Sequence, residues 1–197
     1  MKSKKEFNLI INGVGGQGLI TLLIVLAEAA LLENYEVRTS ELHGLSQRGG
    51  SVETHFRLGR KIYSPLVKPG CADVILALEQ QEALNGLSYA NPQTIFLINQ
   101  YQTPTLGKEI GSKEILKIIK RVSPKVHLIP AASLCQQAFN TDVVAGIYLL
   151  GYATKNRFLP LKKKTVEAAL KKIIPEKFLE LNLRAFNLSK SKSETKK

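Results

Sequence analysis

The chain is short of cysteine, of membrane-length apolar runs and of clustered metal ligands, and each shortage removes a class of protein. Cys71 and Cys135 are the only cysteines in 197 residues. An iron–sulfur cluster takes four thiolates, so this chain alone cannot ligate one. Two isolated thiols fit a reducing compartment and burial rather than a disulfide framework. His43, His55 and His127 are scattered and lack zinc-site spacing. The longest apolar run, residues 19–32, is too short to span a bilayer and carries Glu28. The stretch Met1-Lys2-Ser3-Lys4-Lys5-Glu6 has no apolar core and no small-residue cleavage site, which points to a cytoplasmic protein. No G-x-S-x-G elbow supports hydrolysis through Ser46 or Ser51. Internal repeats are absent.

One sign of charge dominates, with a formal balance of +12. Lys2, Lys4, Lys5, Lys190, Lys192, Lys196 and Lys197 supply seven of the 28 basic residues from the two ends, where charge runs are usually solvated. Lys162-Lys163-Lys164 opens a late helix. No motif interleaves basic and aromatic residues for stacking bases, so nucleic acid is not an expected partner. An acidic protein or an anionic cofactor accounts for the balance at least as well. Membrane binding has no support either.

The apolar share of 44% and charged share of 22% are those of a globular chain long enough for a full core. Its organisation centres on two glycine-rich loops. The first, Gly13-Val14-Gly15-Gly16-Gln17-Gly18, follows the apolar strand-like run 8–12 and opens the helical run 17–32. A strand that turns at once into a helix needs glycine for the turn and for close backbone approach. It also leaves N–H groups at a helix N-terminus, where an anion is favoured. The spacing satisfies the dinucleotide fingerprint, which also wants an acid at the end of the second strand. That strand, near residues 36–40, ends in Ser40, and Glu41 already belongs to the next loop. Three readings stay open: a dinucleotide site, a close-packing turn, and a turn facing a phosphate or a partner subunit. The second loop is Glu41-Leu42-His43-Gly44-Leu45-Ser46-Gln47-Arg48-Gly49-Gly50-Ser51.

Residues 52–58 alternate apolar and polar as a half-buried strand, and Gly59-Arg60 reads as a two-residue turn into 61–64, a β-hairpin. Strands at 73–78, 94–99 and 126–129 alternate with helices at 79–87, 112–121 and 130–139. This pattern predicts an α/β fold, a mostly parallel sheet with helices on both faces. Strand signals stop at about residue 141, and helices at 142–155, 161–173 and 176–188 make a helical C-terminal third. The expected organisation is a single domain over 1–188 and a disordered basic tail over 189–197.

The two loops together resemble those of the gamma-type domain family of pyruvate/2-oxoacid:ferredoxin oxidoreductases. Within it, His43-Gly44 and Gln47 before Arg48-Gly49-Gly50 resemble most the beta-subunit branch of the indolepyruvate enzymes. Asn140-Thr141, Leu159-Pro160-Leu161, Pro175-Glu176-Lys177 and the run from Glu180 to Phe186 are similar to the family's ending. The resemblance therefore covers residues 8–188. It implies oxidative decarboxylation of a 2-oxoacid, with thiamine diphosphate, Mg and iron–sulfur clusters in a large alpha subunit, CoA as co-substrate, and ferredoxin reached through the complex. By that resemblance this chain binds no cofactor and is inactive alone, and it can homodimerise when isolated.

No catalytic residue is expected in this chain by itself, and no metal ligand. Gly13, Gly15, Gly16, Gln17 and Gly18 form a candidate phosphate- or partner-facing loop. Glu41, His43, Gln47, Arg48, Gly49 and Gly50 form a candidate loop facing an active site or an interface. Arg48 offers a bidentate donor for carboxylate or phosphate, and His43 can titrate near neutrality. At the C-terminal ends of neighbouring parallel strands, both loops would share one crevice. The plainer alternative has Arg48 bonding local carbonyls, Gln47 capping a turn and His43 satisfied at an interface. A stand-alone nucleotide-binding enzyme is the competing function.

Overall fold

The computed structural model describes residues 6–43, 49–103 and 110–189. Its centre is a six-stranded sheet. In chain order the elements are β1 (Glu6–Val14), α1 (Leu19–Leu32), β2 (Glu36–His43), β3 (Ser51–Gly59), β4 (Val74–Ala77), β5 (Ile95–Asn99), α2 (Ser112–Val122), β6 (Val126–Ile129), α3 (Ala131–Phe139), α4 (Ala145–Lys155), α5 (Lys163–Ile173) and α6 (Glu176–Leu188). A 3₁₀ helix, Glu82–Tyr89, lies between β4 and β5. The strands run in the order β2-β3-β1-β4-β5-β6. β4, β5 and β6 are parallel to β1, while β3 is antiparallel to both β1 and β2. Five strands thus point one way, and β3 alone is reversed.

Near-continuous apolar runs in β1, β4 and β5 are buried on both sides, as a sheet covered on both faces requires. Leu9, Ile11, Val74, Leu76 and Leu97 face one core together with α1, α3, α4, α5 and α6. Ile10, Ile75, Ala77, Phe96 and Ile98 face a second core, closed by the 3₁₀ helix and by Ile115 and Ile119 of α2. α1 is apolar on most of its surface because α4 and α5 pack over it. Lys172 bonds Glu28 at 2.8 Å, and the Lys162 amide donates to Glu33 at 2.7 Å. The helical C-terminal third is present as expected.

The hairpin is not where Gly59-Arg60 placed it. Both edges of β3 are already taken, by β2 and by β1, so residues 61–64 have no ladder to join. They pass over β3 instead, held by the buried Arg57. Its guanidinium donates to the Ser64 carbonyl at 2.8 Å and to Asn8 at 2.8 Å, and pairs with Glu6 at 2.6 Å. The antiparallel strands that follow one another in the chain are β2 and β3, and β2 runs to His43 rather than stopping at Ser40. The helix expected at 79–87 is also replaced. Glu79 and Gln80 turn inward, buried, with the Thr103 and Ser112 hydroxyls donating to them. The 3₁₀ turns that follow press Gly86 against Ile75, where a Cβ would lie 2.9 Å from Ile75 Cγ2. Ser189, expected in the tail, is buried and its hydroxyl donates to the Phe186 carbonyl. Residues 190–197 lie outside the described residues.

Candidate functional site

Because β1, β2, β4, β5 and β6 are parallel, their C-terminal ends line one edge, and the reversed β3 starts there. The first glycine loop leaves β1 at that edge, and the second ends where β3 begins. The two are bonded directly: the Gly15 amide donates to the Gly50 carbonyl at 2.9 Å. The strands that carry them are not neighbours, however, since β3 stands between β1 and β2. In a dinucleotide fold the ribose-reading acid ends the strand beside β1. Here that neighbour runs the wrong way and Glu41 sits exposed one strand further out, so the fingerprint has no partner acid.

The glycines of the first loop do different jobs. Gly13 is tight: a Cβ there would lie 2.8 Å from Gln17 Oε1 and 3.2 Å from Leu78. Gly16 and Gly18 are instead open, with φ of 102° and 81°, the left-handed region that glycine enters freely. Gln17 closes the turn on itself, its amide bonding Val14 O and its Oε1 accepting from the Val14 amide at 2.9 Å. Gly18 then starts α1, whose N-terminus points at the edge. In the second loop, His43 ends β2 opposite Val52, and Gly49 takes φ 74°. Gln47 and Arg48 lie outside the described residues.

A cleft of about 220 Å³ is walled by Gly16, Gln17, Asn99, Tyr101, Asp142 and Val143, among others. A second, of about 370 Å³ and mainly apolar, shares Gly16, Gln17, Val143 and Gly146 with it and continues along Ile147, Ile174, Phe178 and Leu181. Asn99 is the rivet of this floor. Its amide donates to Leu78 O at 3.1 Å and accepts from the Ala132 amide at 3.1 Å, tying β4, β5 and α3. The rim is strongly apolar for a surface: Val143 is 69% exposed and Phe178 49%. Leu42, beside the second loop, is 47% exposed. Sequence reasoning missed Asn99, Asp142, Val143 and Phe178. The readable signal was a polar Asn closing an apolar strand, as Asn12 does in β1.

Below the Gly15–Gly50 contact lies a buried polar network. Glu53 accepts from Tyr89 at 2.8 Å and from Asn12 at 3.2 Å, and sits 3.2 Å from His55 Nε2. His55 Nδ1 accepts from the Val67 amide at 3.0 Å, which leaves the ring proton on Nε2, facing Glu53. Burial by itself raises the Glu53 carboxyl, but the bonds from His55, Tyr89 and Asn12 outweigh it and the net shift is downward. Tyr89 is pushed up to about 12 by burial and by Glu53. Next to it, Ser51 and Asn85 donate to Glu82, whose carboxyl is raised by burial and by the Glu79 charge. These bonds anchor the first residues of β3, and with them the end of the second loop.

The edge can wall in a ligand, but the described side chains form no nucleophile–base pair. Cys135 is buried, and burial together with the Asp142 charge pushes its thiol up to about 11. Cys71 is exposed and belongs to the opposite end of β4. Among the described residues no three of His, Cys, Asp and Glu gather as metal ligands. No helix of the described residues is long and apolar enough to cross a membrane.

Residues 8–191 match the family model described as pyruvate ferredoxin/flavodoxin oxidoreductase. The chain is 34% identical over 191 residues to indolepyruvate oxidoreductase subunit IorB of Thermococcus kodakarensis, covering 93% of this chain and 94% of that one. Among solved structures it is similar to the gamma subunit of a keto/oxoacid ferredoxin oxidoreductase from Geobacter sulfurreducens, with TM-score 0.68, 22% identity, and 93% and 95% of the two chains covered. It is also similar to 2-oxoglutarate:ferredoxin oxidoreductase of Magnetococcus marinus, solved with 2-oxoglutarate, coenzyme A and succinyl-CoA bound. There the TM-score is 0.74 at 20% identity, and the match covers 95% of this chain and 31% of that longer one. At these identities the two structures speak for the fold.

Proposed function

The chain belongs to the pyruvate ferredoxin/flavodoxin oxidoreductase family, and from that premise we propose that its glycine-lined edge completes the active-site cleft of a larger partner chain. It is the small subunit of a 2-oxoacid:ferredoxin oxidoreductase, and the oxoacid we assign is indolepyruvate or another aryl pyruvate. The partner is a large alpha subunit that carries thiamine diphosphate, Mg and the iron–sulfur clusters. CoA is the co-substrate, electrons leave to ferredoxin through the complex, and the whole acts in the cytoplasm. The working unit in this chain is the single α/β domain that ends with α6.

One observation carries this reading: the 2.9 Å bond from Gly15 to Gly50, which merges two separate loops into one surface. Open clefts on both sides of Gly16 and Gln17, rimmed by exposed Val143 and Phe178, suit a face that another polypeptide covers. A closed pocket at the glycine turn, which a stand-alone nucleotide enzyme needs, is not what these clefts offer. Within the complex, Gly16 to Gly18 with the α1 N-terminus, and Arg48 from the second loop, hold an anionic part of substrate or CoA and exclude water from it. Chemistry at the oxoacid is supplied by the groups bound in the partner.

The test is kinetic, in the complex reconstituted with the large chain. Arg48→Ala is expected to raise KM for the oxoacid or for CoA about tenfold or more while assembly persists. Intact assembly with unchanged constants for both substrates rejects the ligand role of this loop.

A further inference from the structure

The described surface carries its basic excess in clusters, and α2 gathers one of them on a single helix face. From Ser112 to Lys125 stand Lys113, Lys117, Lys120, Arg121 and Lys125, against one acid, Glu114. Helical spacing puts Lys113, Lys117, Lys120 and Arg121 on one stripe, opposite the buried Ile115 and Ile119. All four are exposed, and none has an ion-pair partner among the described residues. Lys125, just beyond the helix, donates to the side-chain oxygen of Gln93. On α5, Lys163 and Lys172 are met by Glu167 and Glu28, while Lys164 and Lys171 have no ion pair among the described residues.

Such a stripe works against its own helix. Lys113 with Lys117, and Lys117 with Arg121, stand four residues apart, a spacing at which like charges repel. The C-terminal dipole offsets this for Lys120 and Arg121 but not for Lys113 or Lys117. The exposed face also lacks any apolar or aromatic residue. That removes insertion into lipid and stacking on bases. It also removes a permanent interface, whose centre is apolar and poor in lysine. What remains is charge complementarity, which steers encounter and suits partners that come and go.

We infer that the α2 stripe is a docking face for a carboxylate-rich protein surface that binds reversibly. It covers the sheet face opposite α1, so it is distinct from the apolar cleft along Ile174 and Phe178, and it stands without the function proposed above.

The full chain can be titrated with fluorescently labelled polyglutamate and, separately, with a DNA duplex of equal charge, following anisotropy at low and at physiological salt. Combined Lys117→Glu, Lys120→Glu and Arg121→Glu should weaken polyglutamate binding about tenfold or more at low salt, with a smaller effect at higher salt. Combined Lys162→Glu, Lys164→Glu and Lys171→Glu, on α5 and the residue before it, changes the net charge equally and should cost about twofold at most. Equal losses in the two variants would show a general effect of net charge and overturn the assignment. So would no loss in the α2 variant, or tighter binding of DNA than of polyglutamate. Should circular dichroism show the reversal variant unfolded, Lys117→Gln with Arg121→Gln decides by the same comparison.

Discussion

Glu53 shows how much one side chain can settle. It is the shared acceptor for Asn12, His55 and Tyr89, which come from β1, β3 and the 3₁₀ helix, directly under the place where the glycine loops meet. Its folded carboxyl titrates below the ordinary value of 4.5, because the three donors outweigh burial. The sign follows: a carboxyl depressed in the folded state stabilises above its unfolded pKa, and that contribution is lost as pH falls through the folded value. Glu82 is shifted the other way, so it gains no stability from ionising. Glu53→Gln should therefore cost about 1–3 kcal/mol at neutral pH. It should also flatten the acid limb of stability measured by urea unfolding between pH 7 and pH 3. An acid limb identical to that of the unmodified chain would show that the network does not depend on the charge of Glu53.

Among elements, α4 and α6 meet closely at one glycine. Gly151 lies against the last turn of α6, where a Cβ would sit 2.2 Å from the Phe186 carbonyl oxygen and 2.7 Å from Ser189 Oγ. Backbone cannot yield as a flexible side chain does, so Gly151→Ala must push α6 away from α4. The expected loss is about 1–3 kcal/mol, the usual cost of overpacking, read as a fall in Tm. A variant as stable as the parent would mean that α6 is free to shift. This glycine looked unremarkable in an apolar helix, because the residue that makes it necessary is 35 positions away in the chain. The same distance problem misplaced the hairpin. Gly59-Arg60 has the local chemistry of a turn, but β3 had no free edge left for 61–64. Helices α2, α5 and α6 were legible because their apolar spacing reports one buried face directly, and α1 because a long apolar run without proline has high helix propensity.

For the whole molecule, the exposed rim is the feature that an isolated chain does not explain. Val143 and Phe178 stand out beside the glycine turn without holding the fold together. Val143→Asp combined with Phe178→Asp should leave the stability of the free chain within about 0.5 kcal/mol, as exposed substitutions do. The same pair should abolish co-purification with a large partner chain, since two carboxylates placed in a covered apolar patch are left desolvated. Retained co-purification would place the subunit contact on another face.

The order of apolar runs by itself determined that this is an α/β protein with a helical final third, since burial on two faces leaves a continuous run and burial on one face leaves a period. The two glycine loops were likewise visible from residue types alone, because only glycine serves a turn at φ of 102° or an approach as close as that of Gly13. Only the tertiary structure decided that those loops meet. A strand reversed between β1 and β2 brings Gly50 to Gly15, and strand order is set by pairing across the sheet, which no local spacing encodes. The same holds for Asn99, Asp142, Val143 and Phe178, four residues far apart in the chain that become the walls of adjoining clefts once the sheet edge and the helices over it are in place.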